Sequence, residues 1–282
     1  MQEWINVALE WIDNPIIQAG AASFLAALIV ARLLNFMWLS GLAVIAAFCA
    51  TVYLISDFNF DFDSLTITKK IILAGLVTAI LAPLFDLVSS HVRLMRCLIA
   101  IACASVVLWV FWSVLERMDW SDIVVYGAGL VAYIVCLSSL LDRLTSTSIR
   151  AASSAMGLGA SIGVSALLSA SALLGQLGIA IAMAGAAYLL LQFVSNQSLP
   201  SGRTLTLPLS VLCGLIAPAA LILAKLPWYC LPLFLLIPLA AQIPLPANWS
   251  LRWQTVVLFM LTLLSSAIPV LLIMHESGNL SY

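Results

Sequence analysis

One carboxylate in this chain stands where a carboxylate is costly. Residues 69 to 93, KKIILAGLVTAILAPLFDLVSSHVR, form a membrane-length apolar run, and Asp86 is the acid inside it. Pro83 lies three residues earlier and leaves the Ala79 carbonyl without its normal helical donor. An ionisable group next to an open carbonyl inside lipid has the makings of a proton- or cation-coupling site. The competing reading is a shallow carboxylate. Asp86 falls about four residues from the end of its span, roughly 6 Å at the helical rise, where it could snorkel to the headgroups or pair with Arg93 or Arg96.

The remaining polar candidates carry no charge. The hydroxyls of Thr78 and Ser210, the phenols of Tyr53 and Tyr188, and backbone exposed at Gly75, Gly214, Pro83 and Pro218 could line a midplane site between the third and eighth spans. Such a lining suits a neutral or weakly polar solute better than an ion. The alternative is that Pro218 is a packing kink and the tyrosines are ordinary core or interface residues.

Other chemistry finds little support. Cys49, Cys97, Cys103, Cys136, Cys213 and Cys230 sit in or beside apolar blocks with no CxxC pair, which reads as packing rather than a disulfide framework, metal ligation or redox work. Asp57, Asp61 and Asp63 alternate with Phe58, Phe60 and Phe62 but lack the spacing of a calcium loop, so they read as a solvated, aromatically anchored loop. No nucleophile elbow, zinc-protease or phosphate-loop motif occurs, so no enzyme is expected, nor any cofactor or metal site. No basic patch supports nucleic-acid binding.

The elements that must position these residues follow from composition. The 282-residue chain is 64% apolar and 8% charged, and its mean hydropathy is +1.16. Soluble domains are about a quarter charged, so this chain belongs in lipid, its partner the bilayer. Its apolar residues come in blocks of about twenty, the helical length that crosses a hydrocarbon core of roughly 30 Å. The expected fold is an all-α polytopic membrane helix bundle of about ten transmembrane helices.

The spans fall at about 15–31, 36–55, 71–90, 94–114, 123–141, 151–174, 177–194, 205–224, 228–242 and 253–274. Residues 1–14, with Trp4 and Trp11 at helical spacing, suggest an interfacial helix before them. The ninth, with Pro232 and Pro238 inside a short stretch, reads as a broken or re-entrant segment. A turn at Gly175 and Gln176 is expected between the sixth and seventh. Gly159 and Gly163 make a GxxxG face, for packing inside the bundle or for a dimer seam.

The segment 142–150, DRLTSTSIR, divides an N-terminal half, 1–141, from a C-terminal half, 151–282, five spans each. Gly75-Leu76 aligns with Gly214-Leu215 in similar surroundings, compatible with a 5+5 inverted repeat. Counting loops outward, Arg32, Arg93, Arg96, Arg143, Arg150, Arg203 and Arg252 share one side, against Lys69, Lys70, Arg117 and Lys225 on the other. The positive-inside rule then places both termini outside, in the periplasm if this is a bacterial inner-membrane protein.

Two functions fit. The leading one is a small secondary transporter or permease, from the span count, the candidate repeat and the proline-interrupted spans. The other is a non-enzymatic subunit that anchors or assembles a larger complex with a protein partner or a second copy, favoured by the scarcity of intramembrane charge.

Overall fold

A computed structural model describes residues 14–34, 40–55, 66–87, 92–200, 202–246 and 248–279. The N-terminal tryptophans, the Asp57–Asp63 loop and His91 lie outside these residues. The protein is an all-α polytopic membrane helix bundle. Lipid supplies no hydrogen bonds, so an apolar chain must satisfy each backbone N–H within its own segment, which a helix does. In chain order the helices are α1 (Pro15–Leu34), α2 (Ala43–Ile55), α3 (Ile67–Leu87), α4 (Val92–Leu115), α5 (Trp120–Asp142) and α6 (Ser148–Leu168). They continue with α7 (Ala172–Ser195), α8 (Gly202–Leu223), α9 (Cys230–Phe234), α10 (Leu236–Ala241) and α11 (Leu251–Asn279).

Eight of these are long and apolar enough to cross a membrane; α2 and the α9–α10 pair are shorter. The bundle is built around α8, which is buried along most of its length and packs on α3, α4, α5, α6 and α7. α1 and α2 pack together and both lie on α7, while α11 covers α6. The halves on either side of the 143–147 turn therefore interlock. Their packing is not matched element by element: α11 lies along α6, whereas its counterpart α5 packs on α4 and α8.

The tightest interface, α6 on α7, is made by glycine. A Cβ added at Gly178 would come within 2.5 Å of the Gly163 Cα, and one at Gly185 within 2.5 Å of the Met156 nitrogen. Gly159 and Gly163 thus face Gly178 and its neighbours within the chain, so the GxxxG face is used inside the bundle. Close approach of this kind lets helices associate by van der Waals contact where lipid gives no hydrophobic incentive.

The turn between these helices is not at Gly175 and Gln176, which lie within α7, but at residues 169–171. Ala170 takes a left-handed φ of 64°, with Ser171 N–H donating to Ala166 C=O and Ala170 N–H to Leu167 C=O. That is a Schellman end with alanine where glycine is usual, so residue type gave no warning of it. Gly175 is needed instead as a small packing residue beneath Leu167.

Candidate functional site

Two features stand out in this well-packed bundle, a polar clasp at one face and an apolar cavity that opens on the bundle surface beside α5. The clasp begins where α8 starts. Gly202 has φ +50°, a left-handed conformation that glycine adopts without cost, and it turns the first amides of α8 toward the end of α3. The Arg203 N–H donates to both Asp86 oxygens at 2.9 Å, and the Thr204 N–H to Oδ2 at 3.2 Å. Asp86 therefore caps a helix other than its own, meeting orphan donors and the positive end of the helix dipole.

Arg203 extends the clasp. Its Nη1 donates to the Phe85 carbonyl at 3.2 Å and its Nε to Asp142 Oδ1 at 3.4 Å, while Arg96 Nε reaches Asp142 Oδ2 at 2.8 Å. Asp142 and Arg203 are almost wholly buried and Arg96 is about a third exposed. Two acids and two arginines thus tie α3, α4, α5 and α8 together. Nearby, Arg150 Nη1 donates to the Gln242 carbonyl at 2.9 Å, and Gln242 Nε2 to the Leu140 carbonyl at 3.2 Å. These contacts hold the end of α10 at the same face as the end of α5.

The other polar candidates do not gather round Asp86. Thr78 is buried and its hydroxyl donates to Gly75 C=O; Ser210 donates to Thr206 C=O. The Tyr188 hydroxyl reaches the Pro200 carbonyl, tying α7 to the segment before α8, and Tyr53 is 70% exposed on the bundle surface. Leu212 and Phe48 pack against Gly75, and Ile134 against Gly214, so the space there is filled by side chains. Pro83 lies within α3 one turn before the capping carboxylate, and Pro218 is buried in α8. Thr78 does border a small apolar groove of about 180 Å³ between α3, α4 and α8.

The larger cavity, about 460 Å³, lies between α5, the end of α8 and α9. Tyr126, Gly129, Tyr133 and Cys136 form its α5 wall, and Trp228, Leu231 and Pro232 face them. An added Cβ at Gly129 would meet nothing within 4 Å, so the missing side chain is itself part of the space. Tyr133 contributes its ring to the wall, and its buried hydroxyl has no hydrogen-bond partner among the described residues. Leaving such a group unpaired costs roughly 1–3 kcal/mol. The cavity exists because α9–α10 is broken. Its dozen residues rise only about 18 Å as helix, and Pro232 and Pro238 prevent a continuous hydrogen-bond ladder.

Comparison with protein-family models and with curated proteins finds no match for this chain. The reading of the site therefore rests on its chemistry. Among the described residues no group of three His, Cys, Asp or Glu side chains could hold a metal ion, and the six cysteines are free. Sequence reasoning singled out Asp86 but missed Arg203 and Asp142 as its associates, and missed the α5 wall altogether. A signal for that wall was present. In YGAGLVAYIVC the residues 126, 129, 133 and 136 share one helical stripe, two tyrosines with a glycine between them.

Proposed function

We propose that the protein is a small membrane carrier, a secondary transporter or permease for a neutral or weakly polar solute. The observation that carries this reading is the 460 Å³ cavity beside the broken α9–α10 helix, lined by aromatic and aliphatic side chains. Its volume falls in the range of small-molecule pockets, and broken helices are where carriers place their solutes. No charged side chain is among the residues that line it, so an ion would find no countercharge within.

The clasp has a part in this reading. A carrier must close one face while the other is open, and the Asp86–Arg203–Asp142–Arg96 cluster joins four helices at the face of the 143–147 turn. Opening toward that face requires the cluster to part. The chain then crosses the membrane ten times. Trp228 shares the cavity with Val125 and Tyr126, while Gln242 bonds at Leu140, so the α9–α10 segment runs alongside about 22 Å of α5. On this reading the arginine-rich clasp faces the cytoplasm and ten crossings put both termini outside, in the periplasm if the host is a bacterium.

The second reading, a non-enzymatic subunit of a larger complex, is favoured by the glycine-tight α6–α7 core, which has no room to rearrange. Cys136 separates the two readings, because a charged thiol reagent reaches a cysteine on a water-filled path and not one that faces lipid. In a variant retaining Cys136 as the sole cysteine, a membrane-impermeant methanethiosulfonate should label it, and Gly129→Phe should block the labelling. An unlabelled Cys136 under all conditions would remove the carrier reading.

A further inference from the structure

The face opposite the clasp carries a second, differently built recess. Lys70, near the start of α3, and Glu116, just past the end of α4, line one cavity of about 370 Å³ together with Leu108, Trp109, Trp112 and Ser113. The Lys70 ammonium lies 5.5 Å from the centre of the Trp109 ring, a cation–π contact. Lys70 and Glu116 border the same space, yet they form no salt bridge with each other. Opposite charges held apart across a cavity leave a gap suited to a group that is itself both anion and cation.

Below this recess the surface changes character without a break. Trp109 is also a wall of the apolar groove between α3, α4 and α8, which continues past Leu73, Val77, Ala102 and Val106 to Leu81 and Phe85. From Leu73 to Phe85 the groove follows about 18 Å of α3, the reach of an extended acyl chain of some fourteen carbons at the helical rise of that wall. Trp109 and Trp112 are 45% and 59% exposed at the helix end, the depth at which tryptophan marks the headgroup layer.

We infer that this recess and groove form a binding site for a zwitterionic aminophospholipid, its phosphate at Lys70, its ammonium at Glu116 and one acyl chain in the α3–α4 groove. The depths agree with the order of groups in such a lipid. Lys70 stands level with Trp109, while Glu116 lies seven residues further along the chain, about 10 Å outward. A primary ammonium can donate hydrogen bonds to the Glu116 carboxylate and the Ser113 hydroxyl, which the quaternary nitrogen of choline cannot. An anionic glycerol headgroup would satisfy Lys70 but face Glu116 with no cation. This assignment is independent of the carrier reading, since it uses neither the 460 Å³ cavity nor the clasp.

Native mass spectrometry of delipidated protein, titrated with dioleoyl phosphatidylethanolamine, phosphatidylglycerol and phosphatidylcholine, tests it. The ethanolamine lipid should bind about fivefold more tightly than either of the others; Glu116→Gln should erase that preference, and Lys70→Gln, which removes the partner of the phosphate common to all three, should weaken all of them. Glu116 is exposed and Lys70 half-buried, and neither forms a salt bridge with the other, so both variants should fold. Ala102→Phe, on the groove wall and away from both charges, should weaken all three lipids by blocking the acyl slot. Equal binding of the three lipids, a preference unchanged in Glu116→Gln, or undiminished binding in Lys70→Gln would overturn the headgroup assignment. Unchanged binding in Ala102→Phe, or displacement by soluble glycerophosphoethanolamine at equal concentration, would show that the recess takes a free phosphoamine and not a lipid.

Discussion

The backbone amide of Arg203 donates to both carboxylate oxygens of Asp86 across 117 residues of sequence, so the acid that looks most like a coupling group in the chain acts in the structure as a helix cap. A cap and a coupling acid respond differently to the same substitution. Asp86→Asn keeps one acceptor oxygen for the α8 amides and should cost well under about 1 kcal/mol, whereas Asp86→Ala should cost about 1–2 kcal/mol. Thermal unfolding of the two purified variants measures this order. A loss of solute uptake in Asp86→Asn at normal protein level and stability would instead assign the carboxylate to coupling.

Asp142 offers a larger effect. It is the shared acceptor of Arg96 and the buried Arg203, and removing it leaves the Arg203 guanidinium in the interior with, among the described residues, only the Phe85 carbonyl. Asp142→Leu should destabilise by roughly 3–5 kcal/mol, the usual result of breaking one side of a buried pair. The double variant Asp142→Leu, Arg203→Met removes both charges together and should recover most of that loss. Denaturation of the single and double variants decides the matter, and an uncorrected double variant would mean that Asp142 acts through something other than Arg203.

Much of this was legible in the sequence, and the part that was not has a physical reason. Blocks of apolar residues at membrane length give the helices directly, because lipid leaves no other local structure available. Asp86 and Asp142 could be seen as the two acids on the arginine-rich side, and both do engage those arginines' residues. What could not be seen was that Asp86 meets the backbone amide of Arg203, since a backbone donor has no residue type. The turn at Ala170 was hidden for a similar reason, an alanine doing what glycine normally does. The cavity was invisible as a cavity, because empty space depends on how α5 and α9 fail to meet.

Ala170 and Gly129 make a matched pair of small substitutions with small gains expected from each. Ala170→Gly relieves a left-handed alanine at the end of α6 and should stabilise by about 0.5–1 kcal/mol. Gly129→Ala, in open space within α5, gains helix propensity of up to about 1 kcal/mol and should not disturb packing. Thermal melts of both should rise or stay level. Gly178→Leu is the contrast, because its side chain must enter the Gly163 backbone; α6 and α7 would separate and folded protein should fall sharply.

The topology itself is open to a direct test that turns on the shortest crossing. α9 and α10 together are too short to span a typical hydrocarbon core unaided, and Arg150, Gln242 and the Leu140 carbonyl hold the far end at the clasp face. If the segment crosses, residues 142–150 and 243–250 share one side, and the C-terminus lies on the other with the end of α5's Trp120 side. Alkaline phosphatase fused at Tyr282 should then be active and a fusion at Thr147 or Ser250 inactive, as expected for arginine-rich loops kept in the cytoplasm. An active Ser250 fusion together with an inactive Tyr282 fusion would mean that α9 and α10 return to the side they started from. In that case the Gln242–Leu140 bond could not form, and the cavity beside α9 would lose one of its walls.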